Sequence, residues 1–359
     1  MTKGWRWKGF TGTLLFGLAF ACNGLLGTEP GEPPVSSDAG GGIGDGSAVS
    51  DAGLEGDVTS PKGDAGKDAV VDLTDAGWNP MTSGTTEPLQ GIWGSSSSDV
   101  YIVGGKFQLT NLILHSVGNG VWTTSLSTTG QGLYAVWGSG PNDIYAVGAG
   151  GTILHSTGNG VWTPQTSNTT QLLTAVWGRN AQEVYVVGAG GTILRSNGNG
   201  TWVKETSTEV GMLEGVWGAG PTDVYVIGHA VILKSNGNGT WSAESAPGVD
   251  HHHGIWGSSA SDIYVVGANA QGNGPAIHHG TGKEDWAYSD STAIAKPIVG
   301  IWGSGPKDIF VVTQNDILHS DGDGKWTRQP NSATPFKIWG SGPADVYVVG
   351  PNGGIFHRP

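Results

Sequence analysis

Short apolar runs recur along the chain, separated by turns rich in glycine and asparagine. In residues 134–162, one run ends at Trp137 and others cover 143–148, 152–156 and 161–162, with Ser-Gly-Pro-Asn, Gly-Ala-Gly-Gly and Thr-Gly-Asn-Gly between them. Runs of this length with β-branched and aromatic residues predict strands, and the segments between them suit tight hairpin turns. The unit therefore predicts four short antiparallel strands.

The same unit recurs seven times after residue 77. The dipeptide Trp-Gly marks the first strand of each unit, with tryptophan at 93, 137, 177, 217, 256, 302 and 339. A period of about 40 residues with four strands per unit is typical of a β-propeller. We therefore predict an all-β domain with seven four-stranded blades.

The seventh unit lacks its fourth strand. A second tryptophan marks the fourth strand of the other units, and after Trp339 it would fall beyond Pro359. Trp78 precedes Trp93 by 15 residues, which is the usual spacing between a fourth-strand tryptophan and the next Trp-Gly. We predict that a strand at 78–83 completes the last blade and removes its open edge.

Composition narrows the class of protein. The chain has 359 residues, with 64 glycines, 16 tryptophans, 13% charged residues and a net charge of −13. The low charge and high glycine content argue against a helical bundle or an α/β enzyme. The acidic balance argues against nucleic acid as a partner, because phosphate binding needs clustered Lys and Arg. A single cysteine excludes an intramolecular disulfide framework and a multi-cysteine zinc site.

The amino terminus predicts secretion. Three basic residues precede an apolar run at 10–21, which is too short to span a bilayer. The sequence Leu-Ala-Phe-Ala-Cys22 resembles a bacterial lipoprotein box, in which the cysteine is lipidated and becomes the mature amino terminus. That family usually has leucine three residues before the cysteine, where this chain has Ala19. An ordinary signal peptide ending near Ala21 is the alternative.

The lipoprotein resemblance implies a signal peptide at 1–22 and lipidation at Cys22. Asn23 follows the cysteine, and in this family the absence of aspartate there implies the outer membrane or cell surface of a Gram-negative bacterium. The lipid would be the only contact with the membrane. Residues 23–74 lack aromatic side chains and predict a disordered acidic linker rich in Gly, Asp, Ser and Pro. The predicted propeller is then 75–359, and we expect it to be monomeric.

The sequence Gly-Thr-Ile-Leu-Arg-Ser-Asn-Gly-Asn-Gly-Thr-Trp at 191–202 resembles the Asp-box, or BNR, repeat. That repeat occurs in sialidases, in related glycan-active propellers and in propeller assembly factors of the photosynthetic type. Here the serine-to-tryptophan spacing is one residue shorter, and Asn197 replaces the aspartate. The whole unit resembles more closely the Trp-Gly-Ser-Gly-Pro-x-Asp repeats of predicted bacterial lipoproteins. These resemblances imply the fold and no particular activity.

Residues that recur in every unit are expected to build the scaffold. The tryptophans should pack between strands, and the acid that follows each first turn should cap that turn. Departures from the repeat are therefore the binding candidates. The loops between the second and third strands are longer in units 1 and 5, where they supply Lys106, Phe107, Asn269 and Gln271. Binding loops and neutral insertions are the two interpretations.

A second set of departures lies where the first strands meet the central channel. Position three before each Trp-Gly tryptophan varies, and unit 5 also carries Asp-His-His-His at 250–253. His229, in the neighbouring turn of unit 4, should lie on the same face. The residues predicted to bind ligand on this rim are Tyr134, Glu214, His229, Asp250, His251, His252 and His253.

Imidazole and carboxylate groups suit zinc, copper or nickel, and His229, His252 and His278 are weak metal candidates. Their spacing matches no established metal motif, so we predict neither a metal nor a cofactor. An exposed histidine run that coordinates nothing is the alternative.

We predict a binding or scaffolding module for a protein or an envelope polysaccharide. Resemblance to sialidases would require an arginine trio, and it is poorly matched: of the four arginines in 78–359, Arg195 occupies a repeat position and Arg358 is the penultimate residue. The first alternative is a carbohydrate-active lyase or hydrolase that uses Glu214, Asp250 and His251–His253. The second is an envelope assembly factor.

Overall fold

The computed structural model describes residues 77–244, 249–283, 285–289 and 293–359; for Val249, Asp250 and Ser289 it describes the backbone alone. The described residues form seven four-stranded antiparallel sheets arranged as a β-propeller, which confirms the predicted fold class. Two short 3-10 turns, Ala149–Gly151 and Pro351–Gly353, interrupt an otherwise all-β structure.

Each blade is one sheet, and its first strand lines the central channel. The strands of blades 1 to 3 are β2 (Leu89–Ser96), β3 (Asp99–Gly104), β4 (Thr110–Ser116), β5 (Thr123–Thr129), β6 (Leu133–Gly140), β7 (Asp143–Gly148), β8 (Ile153–Ser156), β9 (Thr163–Gln165), β10 (Leu173–Asn180), β11 (Glu183–Gly188), β12 (Thr192–Ser196) and β13 (Val203–Lys204). The strands of blades 4 to 6 are β14 (Leu213–Gly218), β15 (Val224–Gly228), β16 (Val231–Ser235), β17 (Trp241–Glu244), β18 (Val249–Ser259), β19 (Asp262–Asn269), β20 (Pro275–Gly280), β21 (Ala287–Ser289), β22 (Ile298–Gly305), β23 (Asp308–Thr313), β24 (Ile317–Ser320) and β25 (Thr327–Gln329).

Blade 7 is built from both ends of the propeller. It contains β26 (Lys337–Gly342), β27 (Asp345–Val349), β28 (Ile355–Arg358) and, outermost, β1 (Asn79–Met81). β1 pairs antiparallel with β28, and Trp78 just before it is buried with its ring edge-to-face on Phe310 at 6.4 Å. The predicted closure is confirmed, although the strand is shorter than the predicted 78–83.

The two repeated tryptophans join neighbouring blades. A Cβ atom added to Gly138 would lie 2.6 Å from Cη2 of Trp93 in the preceding blade, and the same contact recurs at every blade junction. The glycine of Trp-Gly therefore receives the indole of the previous blade. Five fourth-strand tryptophans instead meet a tyrosine of the previous blade edge-to-face, as in Trp202 against Tyr145 at 5.8 Å, and Trp78 meets Phe310 in the same way. The prediction that these tryptophans are packing residues is confirmed.

The repeated acid joins three strands of its own blade. Asp143 at the start of β7 accepts a hydrogen bond from Ser139 Oγ in β6 at 2.6 Å, and its other oxygen lies 2.8 Å from Nε2 of His155 in β8. The His155 ring packs on Tyr145. Blade 3 keeps the arrangement with Glu183 between two arginines. The acid thus does more than cap its turn, and the network lies on the face opposite the channel mouth.

Candidate functional site

A β-bulge occurs at the same place in the first strand of six blades. In blade 1, Leu89 pairs with Gly104 and Gly91 pairs with Val103, so Gln90 between them has no partner across the ladder. A bulge bends its strand and redirects the extra side chain. The bulge residues are Gln90, Tyr134, Thr174, Glu214, His253 and Val299.

The bulges bring side chains of five blades around one cavity. The channel mouth encloses about 210 Å³ and is lined by the bulge residues of blades 1 to 5 and by Lys337 of blade 7. The structure therefore assembles the variable positions that the sequence singled out. Val299 and Phe336 are the two members of that series that do not line this cavity.

Glu214 is the centre of a polar cluster on the rim. His253 donates from Nδ1 to one carboxylate oxygen at 2.8 Å, and Nε2 of His229 lies 3.2 Å from the other. Burial alone would raise the pKa of Glu214, but the hydrogen bonds with His229 and His253 outweigh it and lower that pKa to about 2. The same contact raises the pKa of His229. The cluster therefore holds a fixed carboxylate between two imidazoles.

His251 extends this cluster along the rim. Its ring meets the ring of His229 edge-to-face at 4.5 Å and stacks parallel to that of His253 at 6.4 Å. β18 is the longest strand in the described part of the chain, with 11 residues where β2, β6, β10 and β22 have 8. The three added residues at its start contain a second bulge, at Asp250. The side chain of Asp250 lies outside the described part of the chain, so its predicted place on the rim stays a prediction.

His252 points away from the channel. It is 1% exposed, and its Nδ1 donates to the carbonyls of Gly228 and Val231 at 2.8 and 3.1 Å, which holds the turn that carries His229. Its ring lies 6.0 Å from that of the fully buried His278. Among the described residues, no group of three or more His, Cys, Asp or Glu is placed to hold a metal ion. The three predicted metal candidates are thus divided between rim and interior.

The long loop of blade 1 stands beside the mouth. Lys106 pairs with Glu87 at 3.4 Å, and Gln108 N–H donates to the carbonyl of Gln131, just before β6. These contacts hold the loop while Phe107 and Leu109 remain 47% and 58% exposed.

The long loop of blade 5 is organised by one of its predicted binding residues. Asn269 Oδ1 accepts hydrogen bonds from the backbone N–H groups of Asn273 and Gly274, each at 3.2 Å. Its side chain is therefore occupied within the loop, whereas Gln271 is exposed at the tip.

The signal peptide, the lipidated cysteine and the linker at the amino terminus stay predictions. The signal peptide at 1–22, Cys22 and the linker at 23–74 lie outside the described residues. Within the described residues, none of the helical segments has the length and apolar character needed to cross a bilayer.

Lys337 is the residue that the sequence analysis missed. It stands two residues before the tryptophan of blade 7, where the other six blades have glycine or alanine. Its side chain lines the cavity, and its Nζ donates a long hydrogen bond of 3.5 Å to the carbonyl of Val299. Burial lowers the pKa of Lys337, an effect that the charge of Glu214 partly offsets. Alignment of the seven units would have identified it, because Lys337 is the one charged residue at a position that is otherwise glycine or alanine.

Comparison with known proteins identifies the fold alone. No family model and no curated protein match the chain. Among solved structures, YCF48 bound to D1 peptide has a TM-score of 0.62 and 13% identity, over 78% of this chain and 96% of that one. A catalytically inactive variant of virginiamycin B lyase from Staphylococcus aureus with quinupristin has a TM-score of 0.67 and 15% identity, over 78% of this chain and 98% of the other.

The WD40 β-propeller domain of Doa1 is similar to the same extent. Its TM-score is 0.64 and its identity 10%, over 77% of this chain and 94% of that domain. Identities this low carry no statement about activity. The chain shares the β-propeller fold with a peptide-bound protein, a lyase and a WD40 domain.

Proposed function

We propose that this protein is a binding module whose ligand is another protein, docked on the channel-mouth face. One observation carries the proposal: the bulge position differs in chemistry from blade to blade, while the packing positions around it repeat. Gln90, Tyr134 and Glu214 come from three blades and line the same cavity. A varied set of polar and aromatic groups on a rigid scaffold is suited to specific recognition.

The blade 1 loop adds an apolar anchor to this face. Phe107 and Leu109 are exposed although neighbouring contacts hold their loop in place. A held aromatic side chain loses little conformational entropy on binding, and such residues dominate the energetics of protein interfaces. This favours a protein partner over an envelope polysaccharide. The structurally similar YCF48 with D1 peptide supports the same class of ligand.

A carbohydrate-active or other lyase-type enzyme is the second candidate, favoured by the hydrogen bond between His253 and Glu214 and by the structural similarity to virginiamycin B lyase. Two features argue for the binding module instead. The side chains of Glu214, His253 and His229 are 23%, 28% and 50% exposed, as on an open rim. A carboxyl group with a pKa of about 2 is also ionised near neutral pH and cannot serve there as a general acid.

The proposed location is the outer membrane or cell surface, with attachment through lipid on Cys22 and with 23–74 as a spacer. Labelling of cells with a radioactive or alkyne-tagged fatty acid tests this attachment. We expect label in the wild-type protein and none in Cys22→Ser. Labelling of both proteins, or of neither, would exclude lipidation at Cys22.

Site-specific cross-linking in cells tests the binding function. A photoreactive amino acid at Gln90 lies on the channel mouth, and one at Asn159 lies on the exposed hairpin of the opposite face. We expect a protein adduct from position 90 and not from position 159. The adduct should disappear when Phe107→Ser and His253→Ala are added, and it should survive the control Val161→Ser.

Equal adducts from both faces, or an adduct that ignores the rim variants, would contradict docking at the mouth. Purified protein incubated with envelope polysaccharide gives the complementary result. Depolymerisation that is lost in Glu214→Gln would establish the enzyme instead, and binding without cleavage would establish a polysaccharide ligand.

A further inference from the structure

Lys337 is exceptional for its position, two residues before the Trp-Gly tryptophan, where the other six blades have glycine or alanine. A Cβ atom added to Gly91 would lie 2.9 Å from the carbonyl oxygen of Tyr134, and one added to Gly254 would lie 3.2 Å from Ile301. A side chain added to either glycine would therefore meet the first strand of the next blade. In blade 7 the position holds a lysine, whose accessible surface faces the cavity. The longest side chain at this position therefore enters the channel.

The amine of Lys337 is poorly compensated where it lies. Its hydrogen bond to the Val299 carbonyl is 3.5 Å long, at the limit of the interaction. Within the described part of the chain, no carboxylate lies within 4.0 Å of its Nζ. Glu214, whose charge raises the pKa of Lys337, is already engaged by two imidazoles. Lys337 is partly buried in the channel, where its ammonium group loses part of its hydration without gaining a close partner. Such a loss is unfavourable, and a bound anion would relieve that cost.

The walls of the cavity restrict the chemistry of such an anion. Beside the polar rim, the lining consists of aliphatic side chains from the first strands: Ile92, Val136, Val176, Val216, Ile255, Ile301 and Ile338. The volume of about 210 Å³ admits a small ligand or a single side chain, because a cavity of about 150 Å³ already binds benzene. Phosphate and sulfate carry more charge and need more donors than one amine supplies. A carboxylate on a short aliphatic stem fits both the walls and the single charge.

We propose that the central channel is a carboxylate-binding site in which the Lys337 ammonium pairs with the ligand. This deepens the proposed function, and it rests on that function for the source of the carboxylate, which would be an acidic side chain or the chain terminus of the protein partner. A free short-chain carboxylate presents the same group to the channel.

Titration calorimetry of the full-length protein with propionate tests the site, with propionamide as the uncharged ligand of matched shape. Lys337→Met removes the charge and keeps the length of the side chain. We expect propionate to bind the wild type, at least tenfold weaker binding by Lys337→Met, and no binding of propionamide. Equal binding of the acid and the amide, or unchanged affinity in the variant, would overturn the proposal. So would tighter binding of inorganic phosphate than of propionate.

The thermal midpoint of the unliganded proteins separates a ligand-binding lysine from a structural one. Lys337→Met removes a poorly compensated charge, so we expect its midpoint to equal or exceed that of the wild type. A lysine that held the blades together would give a lower midpoint on replacement. A lower midpoint together with unchanged propionate affinity would assign Lys337 a structural role.

Competition against propionate identifies the source. One pair of probes is Gly-Ala-Val with a free or an amidated carboxyl terminus, and the other is acetyl-Gly-Glu-Gly-amide with its Gln counterpart. Displacement by only the free terminus, or by only the Glu peptide, assigns the carboxylate to that source. If neither displaces propionate, the site binds small carboxylates, and Lys337 keeps its role even if cross-linking fails to find a protein partner.

Discussion

Trp339 of the last blade packs directly on Gly94 of the first. A Cβ atom on Gly94 would lie 2.6 Å from Cη2 of Trp339 and 2.7 Å from the carbonyl oxygen of Asp99. This is the seventh copy of the indole-on-glycine contact, and it joins the two blades at the point where the ring of blades closes. The Trp-Gly dipeptide is therefore a reciprocal device, in which every blade offers an indole and receives one.

Gly94→Ala tests this contact. The added methyl group must displace either the indole or the backbone, so we expect the free energy of unfolding in urea to fall by about 1–3 kcal/mol. Gly140→Ala is the matched control, because a Cβ atom there would meet no atom within 4 Å. Equal destabilisation by the two variants would contradict the packing role of the glycine.

Trp78→Ala tests closure of the propeller by β1. The buried indole packs in one cluster with Phe310 and Val346, so its removal should lower the free energy of unfolding by about 3–5 kcal/mol. Val210→Ala is the control, since Val210 is 81% exposed and should be nearly neutral. A loss below about 1 kcal/mol for Trp78→Ala, relative to the 3–5 kcal/mol of a buried tryptophan, would show that blade 7 is stable without its outer strand.

His278 makes the fold sensitive to acid. Burial lowers its pKa from an ordinary value of 6.5 to about 4, and both ring nitrogens lack a hydrogen-bond partner among the described residues. Below pH 6.5 His278 becomes protonated in the unfolded chain, whereas in the folded chain it stays neutral until the pH approaches 4. Stability is therefore complete above pH 6.5 and declines towards pH 4, by about 3 kcal/mol in all from this group. Burial also lowers the pKa of His252, which contributes with the same sign.

His278→Leu should remove the contribution of His278. Leucine occupies the equivalent third-strand position in blades 1 to 3, at Leu114, Leu154 and Leu194, so the site is compatible with it. Urea unfolding at pH 5 and pH 7.5 measures the effect. We expect the variant to gain more stability over the wild type at pH 5 than at pH 7.5. A pH-independent difference would mean that His278 does not resist protonation.

The rim cluster should respond to Glu214→Gln. The carboxylate raises the pKa of His229 through their hydrogen bond, so the uncharged amide should lower it. Proton NMR titration of the ring resonances measures the change. His155, which lies in another blade and contacts Asp143, is the reference resonance that the substitution should leave unchanged. An unchanged titration of His229 would mean that the two side chains do not interact in solution.

The architecture was predictable because each blade is encoded by one contiguous sequence unit that recurs seven times. Strand patterns, hairpin turns and two tryptophans per unit specify the blade, and the spacing between Trp78 and Trp93 predicts the closing strand. The variable rim position was also visible in the aligned repeats. The repeat does not reveal that this residue forms a β-bulge. The bulge turns its side chain towards the channel.

Other features depend on distances between residues far apart in the chain. Two adjacent histidines of the run have different environments: His253 contacts Glu214, whereas His252 is buried beside His278. The sequence His-His-His does not distinguish them. Adjacent side chains of a strand point to opposite faces, and only the pairing register determines which of the two faces inward. Local sequence thus determined the blades and their closure. The tertiary structure decided which polar groups meet at the channel, because that convergence arises only when seven first strands surround one axis.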